Sequence, residues 1–511
     1  MRRVSWPILA LALLLLAPLL VVVTAPLHSN ATEWPFVWRE LLPSHLRETG
    51  LLLLISVALA VIFGTGSAWL VSAFRFPGRD LFRWALVLPL ALPTYISAIT
   101  FASLFGPTGS IRLTLGLPFD IVNLPGLALV FALVLFPYVY LPARAAFSTG
   151  MAAHLDAARM LGGGALRRFF RVAAPLARPA IAGGAFLVAM ETLNDYGAVK
   201  YYGIHTLTAG IFRAWGGLYD VGSALRLSGL LLALVLLLVW SEAQLRKRAQ
   251  HSTANHATQR IALVGWKRLA ASTGCGLLLF AGFVLPVMAI LRDAFHTADL
   301  SHLRIVLPAL GNTLLVGTIA AVLTLSVSIV LAYSERHDPS RSSWVRWAGL
   351  GYVVPGAVIA LGVMALAGWI GDQTGMVLIG GIALLAYAFT VRFLALAGQP
   401  LRAGLAQQQR SLDESARLLG ASPLRTFFTV NMPLLRPALI AAALLVLMEV
   451  VKELPLTMIL RPFDFDTLST RVFELARIEQ WADAALPALL IVVCGLVPVV
   501  VLDRMLERSA R

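Results

Sequence analysis

Apolar runs of about twenty residues recur along the whole chain, and that length sets the fold. As a helix rising 1.5 Å per residue, such a run crosses a hydrocarbon core of about 30 Å. Lipid offers no hydrogen bonds, so a chain that enters it must satisfy its backbone internally, as a helix does. Twelve runs are legible, at residues 6–24, 47–73, 82–106, 123–146, 176–195 and 223–242, then at 263–290, 308–333, 344–370, 376–398, 436–457 and 484–503. Hydrophobic residues make up 59% of the 511 and charged residues 13%, about half of what a soluble chain carries. The expected fold is an all-α polytopic membrane protein with about 12 transmembrane helices, and a large soluble helical domain is excluded.

The net charge of +15 suggests a nucleic-acid partner until its distribution is considered. The basic residues lie mainly in short loops between apolar runs, and 29 of the 41 Lys and Arg fall on one side of the twelve-span arrangement. That is the positive-inside pattern, which places both termini in the cytoplasm and leaves lipid, not nucleic acid, as the contact. The only long polar tract, Glu242 to Arg268, falls at the midpoint. It divides the chain into a first six-span half (1–242), a cytoplasmic linker (243–262) and a second six-span half (263–511). Cys275 and Cys494 sit inside apolar runs and read as packing residues. The first run reads as a retained span, because Pro26 would follow any cleavage after "VTA".

The halves repeat one device. "DAARMLGGGALRRFFRVAAPLARPA", from Asp156, lies on "ESARLLGASPLRTFFTVNMPLLRPA", from Glu414, at a constant offset of 258, with 14 of 25 residues identical. Both copies fall on the cytoplasmic side, so the duplication is parallel. In the second copy Ser411 and Glu414 have capping-box spacing, and Asp413 with Glu414 places negative charge on a helix N-terminus. Gly420 can end that helix in the left-handed conformation, and Ser422 with Pro423 can start another. The spacing predicts a helical hairpin under the membrane, with Arg417 and Arg425 beside its turn. Such a hairpin either rests on lipid headgroups or docks a cytoplasmic partner; duplication at fixed spacing favours a partner with two equivalent clefts.

The repeated segments resemble the "EAA" loops of ABC-transporter permease subunits, as "DAARMLG…APL" and "ESARLLG…MPL". The segments that follow, from Glu191 and from Lys452, resemble those of fused ferric-iron permeases of the binding-protein-dependent type. This resemblance implies a type I importer permease with no cofactor and no catalytic residue of its own. The implied partners are a dimer of ATP-binding cassette subunits below and a periplasmic solute-binding protein above, at a bacterial inner membrane. Coupling to the ATPase is then expected from Asp156, Ala157, Ala158, Gly162, Arg167 and Pro175, and from Glu414, Ser415, Ala416, Gly420, Arg425 and Pro433. Asp156 and Ser415 depart from the usual Glu and Ala. Related permeases carry thiamine, polyamines or phosphonates, which remain alternative cargoes. A secondary transporter would explain the spans but not the doubled hairpin.

The chain has no GxxxxGK[ST] phosphate loop, HExxH or CxxC motif, so ATP hydrolysis is expected on a separate subunit. Candidate pathway residues come from the repeat. Glu191 and Glu449 stand at the same offset of 258, each 12 residues beyond the proline of an Arg-Pro pair. Asn194 with Asp195, and Lys452 with Glu453, follow one turn later. Acids at that depth usually face a bundle interior, where they line a path or satisfy one another. A permease path should hold cargo weakly, so none is assigned as a metal ligand. His205 and Asp220 are expected at the outward surface.

Overall fold

The computed structural model describes residues 6–28, 30–116, 118–148, 164–247, 260–297, 300–338 and 341–509. Among them, nine helices are long and apolar enough to cross a membrane, from Trp6–Pro26 to Leu424–Lys452. Two further spans are bent pairs: Arg79–Ala91 with Thr94–Leu115 at 92°, and Leu124–Leu135 with Pro137–Ser148 at 44°. The shorter apolar stretch Trp481–Val497, inside the helix Trp481–Ser509, accounts for the last run. The protein is an all-α polytopic membrane protein with two repeated halves.

The structure corrects the expected spans at two places in each half. The third runs, 82–106 and 344–370, are not continuous helices. Each enters as a short helix and a 3₁₀ turn, then breaks at an extended proline, Pro93 (ψ 141°) or Pro355 (ψ 141°). New helices, Thr94–Phe105 and Gly356–Thr374, start directly after these prolines. The fifth spans begin earlier than expected and absorb the end of each repeated segment. Pro433 lies in the first turn of the helix Met432–Lys452. The chain passes from Pro423–Thr426 through a π-turn, Phe427–Asn431, into Met432–Lys452. The same π-turn, Phe169–Ala173, precedes Ala174–Asn194 at the same offset of 258. The cause is Pro175 or Pro433 just beyond it. A helical proline lacks an N–H and crowds the carbonyl four residues back, and the wider turn relieves both problems.

The two halves interlock through their first spans. Trp6–His28 packs against Gly356–Thr374 of the second half, and the Tyr387 hydroxyl donates to the Leu14 carbonyl (2.5 Å). At Gly362 a Cβ would lie 2.3 Å from the Pro18 carbonyl oxygen, so only glycine permits that approach. Reciprocally, Leu285–Thr297 packs against Thr94–Phe105 of the first half. A two-residue parallel strand pair, Phe74–Arg75 with Ile261–Ala262, ties the end of the linker to the first half. Each half also repeats a long-range cap. Thr49 Oγ1 accepts the Leu207 N–H (2.9 Å), and Thr313 Oγ1 accepts that of Leu468 (2.8 Å).

Candidate functional site

The second hairpin starts from its turn. The helix Arg410–Leu418 ends in a Schellman motif: the Ala421 N–H reaches the Ala416 carbonyl (3.0 Å) and the Gly420 N–H that of Arg417 (2.9 Å). Gly420 sits at φ 81°, which glycine adopts at no cost. Ser422 Oγ then accepts the Arg425 N–H (3.3 Å) and caps the next turn. The expected Ser411–Glu414 capping box does not form. Extended backbone at Gln409 starts the helix two residues earlier, at Arg410, and leaves Ser411 inside it with its hydroxyl on Gln409 (3.4 Å). Glu414, Ser415, Arg417, Arg425 and Pro433 are exposed, and Ala416 is half-buried. Leu418 (89%), Leu419 (88%), Leu424 and Phe428 present an apolar knob to the outside. In the first copy Asp156, Ala157, Ala158 and Gly162 lie outside the described residues. Arg167 is exposed, Pro175 opens the helix Ala174–Asn194, and Phe170 is exposed as Phe428 is.

All six candidate pathway residues line one cavity between the halves: Glu191, Asn194 and Asp195 from one, Glu449, Lys452 and Glu453 from the other. It offers about 90 Å³ to the centres of water-sized groups, room for only a handful of waters. Chain breaks build it. The long helices end at Asn194 and Lys452, and the half-helices begin at Thr94 and Gly356, so helix termini meet at its wall.

The acids divide by what they do. Asp195 accepts the N–H groups of Ala198 (2.8 Å) and Val199 (3.4 Å) and the Thr94 hydroxyl (2.5 Å). Glu453 accepts those of Leu456 (3.0 Å) and Thr457 (3.1 Å). Both carboxylates cap the short helix that follows each break, Gly197–Tyr201 or Pro455–Leu460, and their equivalence comes from the repeat. Glu191 and Glu449 serve no backbone. Glu191 meets the Tyr138 hydroxyl at 3.4 Å, and Glu449 lies 4.0 Å from Lys452. At the cavity, Asn194 Oδ1 accepts the Gly356 N–H (2.9 Å) and Lys452 Nζ donates to the Leu90 carbonyl (3.0 Å), both across the halves.

Sequence reasoning missed Arg392. It is buried, donates to the Val354 carbonyl (3.3 Å), and with Glu453 crowds the site of a Cβ on Gly356. A single arginine inside the run 376–398 was the available signal. Asp220, expected at the surface, is buried. It accepts the N–H groups of Glu33 (2.8 Å) and Ser223 (3.0 Å) and caps the helix Val221–Lys247. His205 is exposed beside Glu48. Among the described residues no three His, Cys, Asp or Glu groups converge to hold a metal ion.

Comparison with known proteins agrees with this architecture. The chain is 27% identical to the Fe(3+)-transport system permease protein FbpB 2 of Haemophilus influenzae, over 97% of each protein. It is 30% identical to the sulfate transport system permease protein CysT of Salmonella typhimurium, over 38% of this chain and 71% of that one. It is 34% identical to a probable molybdenum ABC transporter permease protein of Haloferax volcanii, over 29% of this chain and 55% of that one. The family model for the binding-protein-dependent transport system inner membrane component matches twice, at residues 56–248 and 324–511. With that unit recognised in both halves and across most of its length, the chain belongs to this family of ABC importer permeases, as two units fused in one polypeptide.

Proposed function

We propose that this permease imports ferric iron, with Glu191 and Glu449 lining the path. The cavity carries the reading. Four carboxylates and two cations, Arg392 and Lys452, surround it, so its formal balance is negative. The two half-helix N-termini would suit an oxyanion such as sulfate. At Gly356 the N–H is already taken by Asn194, the Thr94 hydroxyl donates to Asp195, and Arg392 stands near Glu453. The two acids free of backbone duties are what a passing cation meets, and hard oxygen ligands suit a hard cation. The ferric permease also matches end to end, whereas the sulfate and molybdenum relatives match part of the chain.

In this reading the halves 1–242 and 263–511 each present one hairpin to an ATPase subunit, and 243–262 links them in the cytoplasm. Both termini lie inside, at a bacterial inner membrane, and a solute-binding protein delivers cargo to the opposite face. The exposed Leu418 and Leu419, which precede the candidate span Leu424–Lys452, support docking over a lipid rest. Cysteines placed at Arg246–Arg248 should resist a membrane-impermeant thiol reagent in intact cells, and ready labelling would overturn this orientation.

Reconstitution of the permease with its ATPase and binding protein tests the cargo. ATP-dependent uptake of labelled ferric iron is expected, and uptake of sulfate, thiamine or spermidine in its place would sink the assignment. Glu191→Gln with Glu449→Gln keeps the shape and removes the charge. The pair should lower iron uptake by about tenfold or more, as expected when about 1.4 kcal/mol or more of barrier is added. Undiminished uptake would make these acids structural.

A further inference from the structure

Behind the second hairpin lies a buried polar cluster that neither docking nor the pathway explains. Arg336 stands at the cytoplasmic end of the helix Leu300–His337. Its Nε donates to Asp413 Oδ2 at 3.0 Å, and both side chains are about nine-tenths buried (8% and 11% exposed). The rest of the guanidinium donates to the main-chain carbonyls of Leu405, Gln408 (3.3 Å) and Gln409 (3.5 Å), which end the preceding span. Asn431, fully buried in the π-turn, donates to the other Asp413 oxygen at 2.8 Å and to Gln408 Oε1 at 3.0 Å. Gln408 returns a bond to the Asn431 carbonyl at 3.2 Å. One arginine therefore joins two transmembrane helices, the hairpin helix Arg410–Leu418 and the root of the next span. A guanidinium suits this role, because its planar fork serves several acceptors at once.

The first half has other residues at the matched positions. The offset of 258 puts Leu155 opposite Asp413 and Ala173 opposite Asn431. The helices Leu42–Ala73 and Leu300–His337 align at an offset of 264, which pairs Thr49 with Thr313 and Ser72 with Arg336. The same register pairs Trp69 with Tyr333. Both rings meet the equivalent phenylalanine, Trp69 on Phe169 at 5.6 Å and Tyr333 on Phe427 at 4.9 Å. Around Trp69 the first half packs Phe74 and Phe147 as well, at 5.9 Å and 5.5 Å. Beside its aromatic contact, the second root has charge-assisted hydrogen bonds of fixed geometry.

We propose that Arg336 is a positioning residue for energy coupling, and that through Asp413 and Asn431 it makes the second hairpin the rigid lever of the pair. Resting on the reading that the hairpins dock an ATPase, this assigns the two docking contacts unequal parts. Motion of a bound subunit passes through the second hairpin directly into the helix Leu300–His337.

The test uses the assembled complex in proteoliposomes and compares Arg336→Gln, Asp413→Asn, Arg336→Lys and Ser72→Ala. Solute imported per ATP hydrolysed is measured, together with the mobility of a spin label on Leu418→Cys. Arg336→Gln and Asp413→Asn should each lower the transport ratio by about tenfold, within the range of ordinary site-to-site coupling, and should loosen the label. Arg336→Lys should restore part of both, and Ser72→Ala should change neither. An unchanged ratio and label in Asp413→Asn, which keeps the shape of the site, would overturn the proposal, as would an equal loss in Ser72→Ala. If even the parent chain fails to retain an ATPase, the docking reading fails instead, and the label still reports whether Arg336 holds the hairpin.

Discussion

The two halves share a backbone plan and differ in charge. At matched positions both have the π-turn, the proline break, the helix capped by a distant Thr and the acid that caps a short helix. Both carry an acid free of the backbone, Glu191 or Glu449. The cations at the cavity and behind the hairpin come from the second half. Arg392 stands where the first half has Val134, Lys452 where it has Asn194, and Arg336 where it has Ser72. Duplication preserved the features that satisfy backbone groups, since those demands do not change between copies. Side chains that meet across the interface were free to diverge, because each half supplies only one side of the cavity.

The largest expected effect separates Arg392 from Val134. Removing one partner of a buried charge pair leaves the other uncompensated, at a cost of about 3–5 kcal/mol. Arg392→Leu should therefore abolish stable expression or lower the unfolding temperature sharply. Val134→Ala, which removes only packing, should cost about 1–3 kcal/mol. Similar losses would mean that Arg392 is a packing residue. A smaller effect sorts the acids. Asp195→Asn and Glu453→Gln keep an acceptor but lose its charge, so each should cost about 1 kcal/mol of stability, the scale of a helix cap. Uptake should fall less than in the Glu191→Gln, Glu449→Gln pair. The reverse order would exchange the capping and pathway roles.

The smallest effect concerns pH at the second hairpin. Burial pushes the Asp413 carboxyl up, but hydrogen bonds from Asn431 and Arg336, with the Arg336 charge, outweigh it and hold the group below its usual range. A depressed carboxylate stabilises the fold above its unfolded pKa of about 3.9 and loses that contribution as pH falls through the lower folded value. Label mobility at Leu418→Cys should therefore stay constant from about pH 5 to 8 and rise only in strong acid. A transition near neutrality would mean that another group holds the hairpin.

Span number, repeat and hairpin were legible because run length, constant offset and turn chemistry are local signals. The sorting of the four acids was not. It depends on where each helix breaks, and so on which N–H groups stand free at Ala198 and Leu456. The Ser411–Glu414 spacing misled for a related reason. Arg336, 77 residues upstream, fixes Asp413, and no local pattern announces a partner that distant. Asp220 likewise reaches back 187 residues to the Glu33 N–H, which turns an apparent surface acid into a buried cap.

The central claim is that the hairpins transmit the ATPase stroke, and both turn glycines test it together. A β-branched residue resists the φ of 81° held at Gly420, and strain there costs about 1–2 kcal/mol before any lost contact. Gly420→Val alone should weaken ATPase binding and uptake, and Gly162→Val alone should be milder, because Gly163 and Gly164 follow it. The deciding measurement is ATP-dependent uptake in proteoliposomes by the double variant, at matched amounts of inserted protein. Uptake at background, with the permease still inserted, is the predicted result. Uptake at the parent rate would contradict the account and leave the hairpins as rests on the membrane surface.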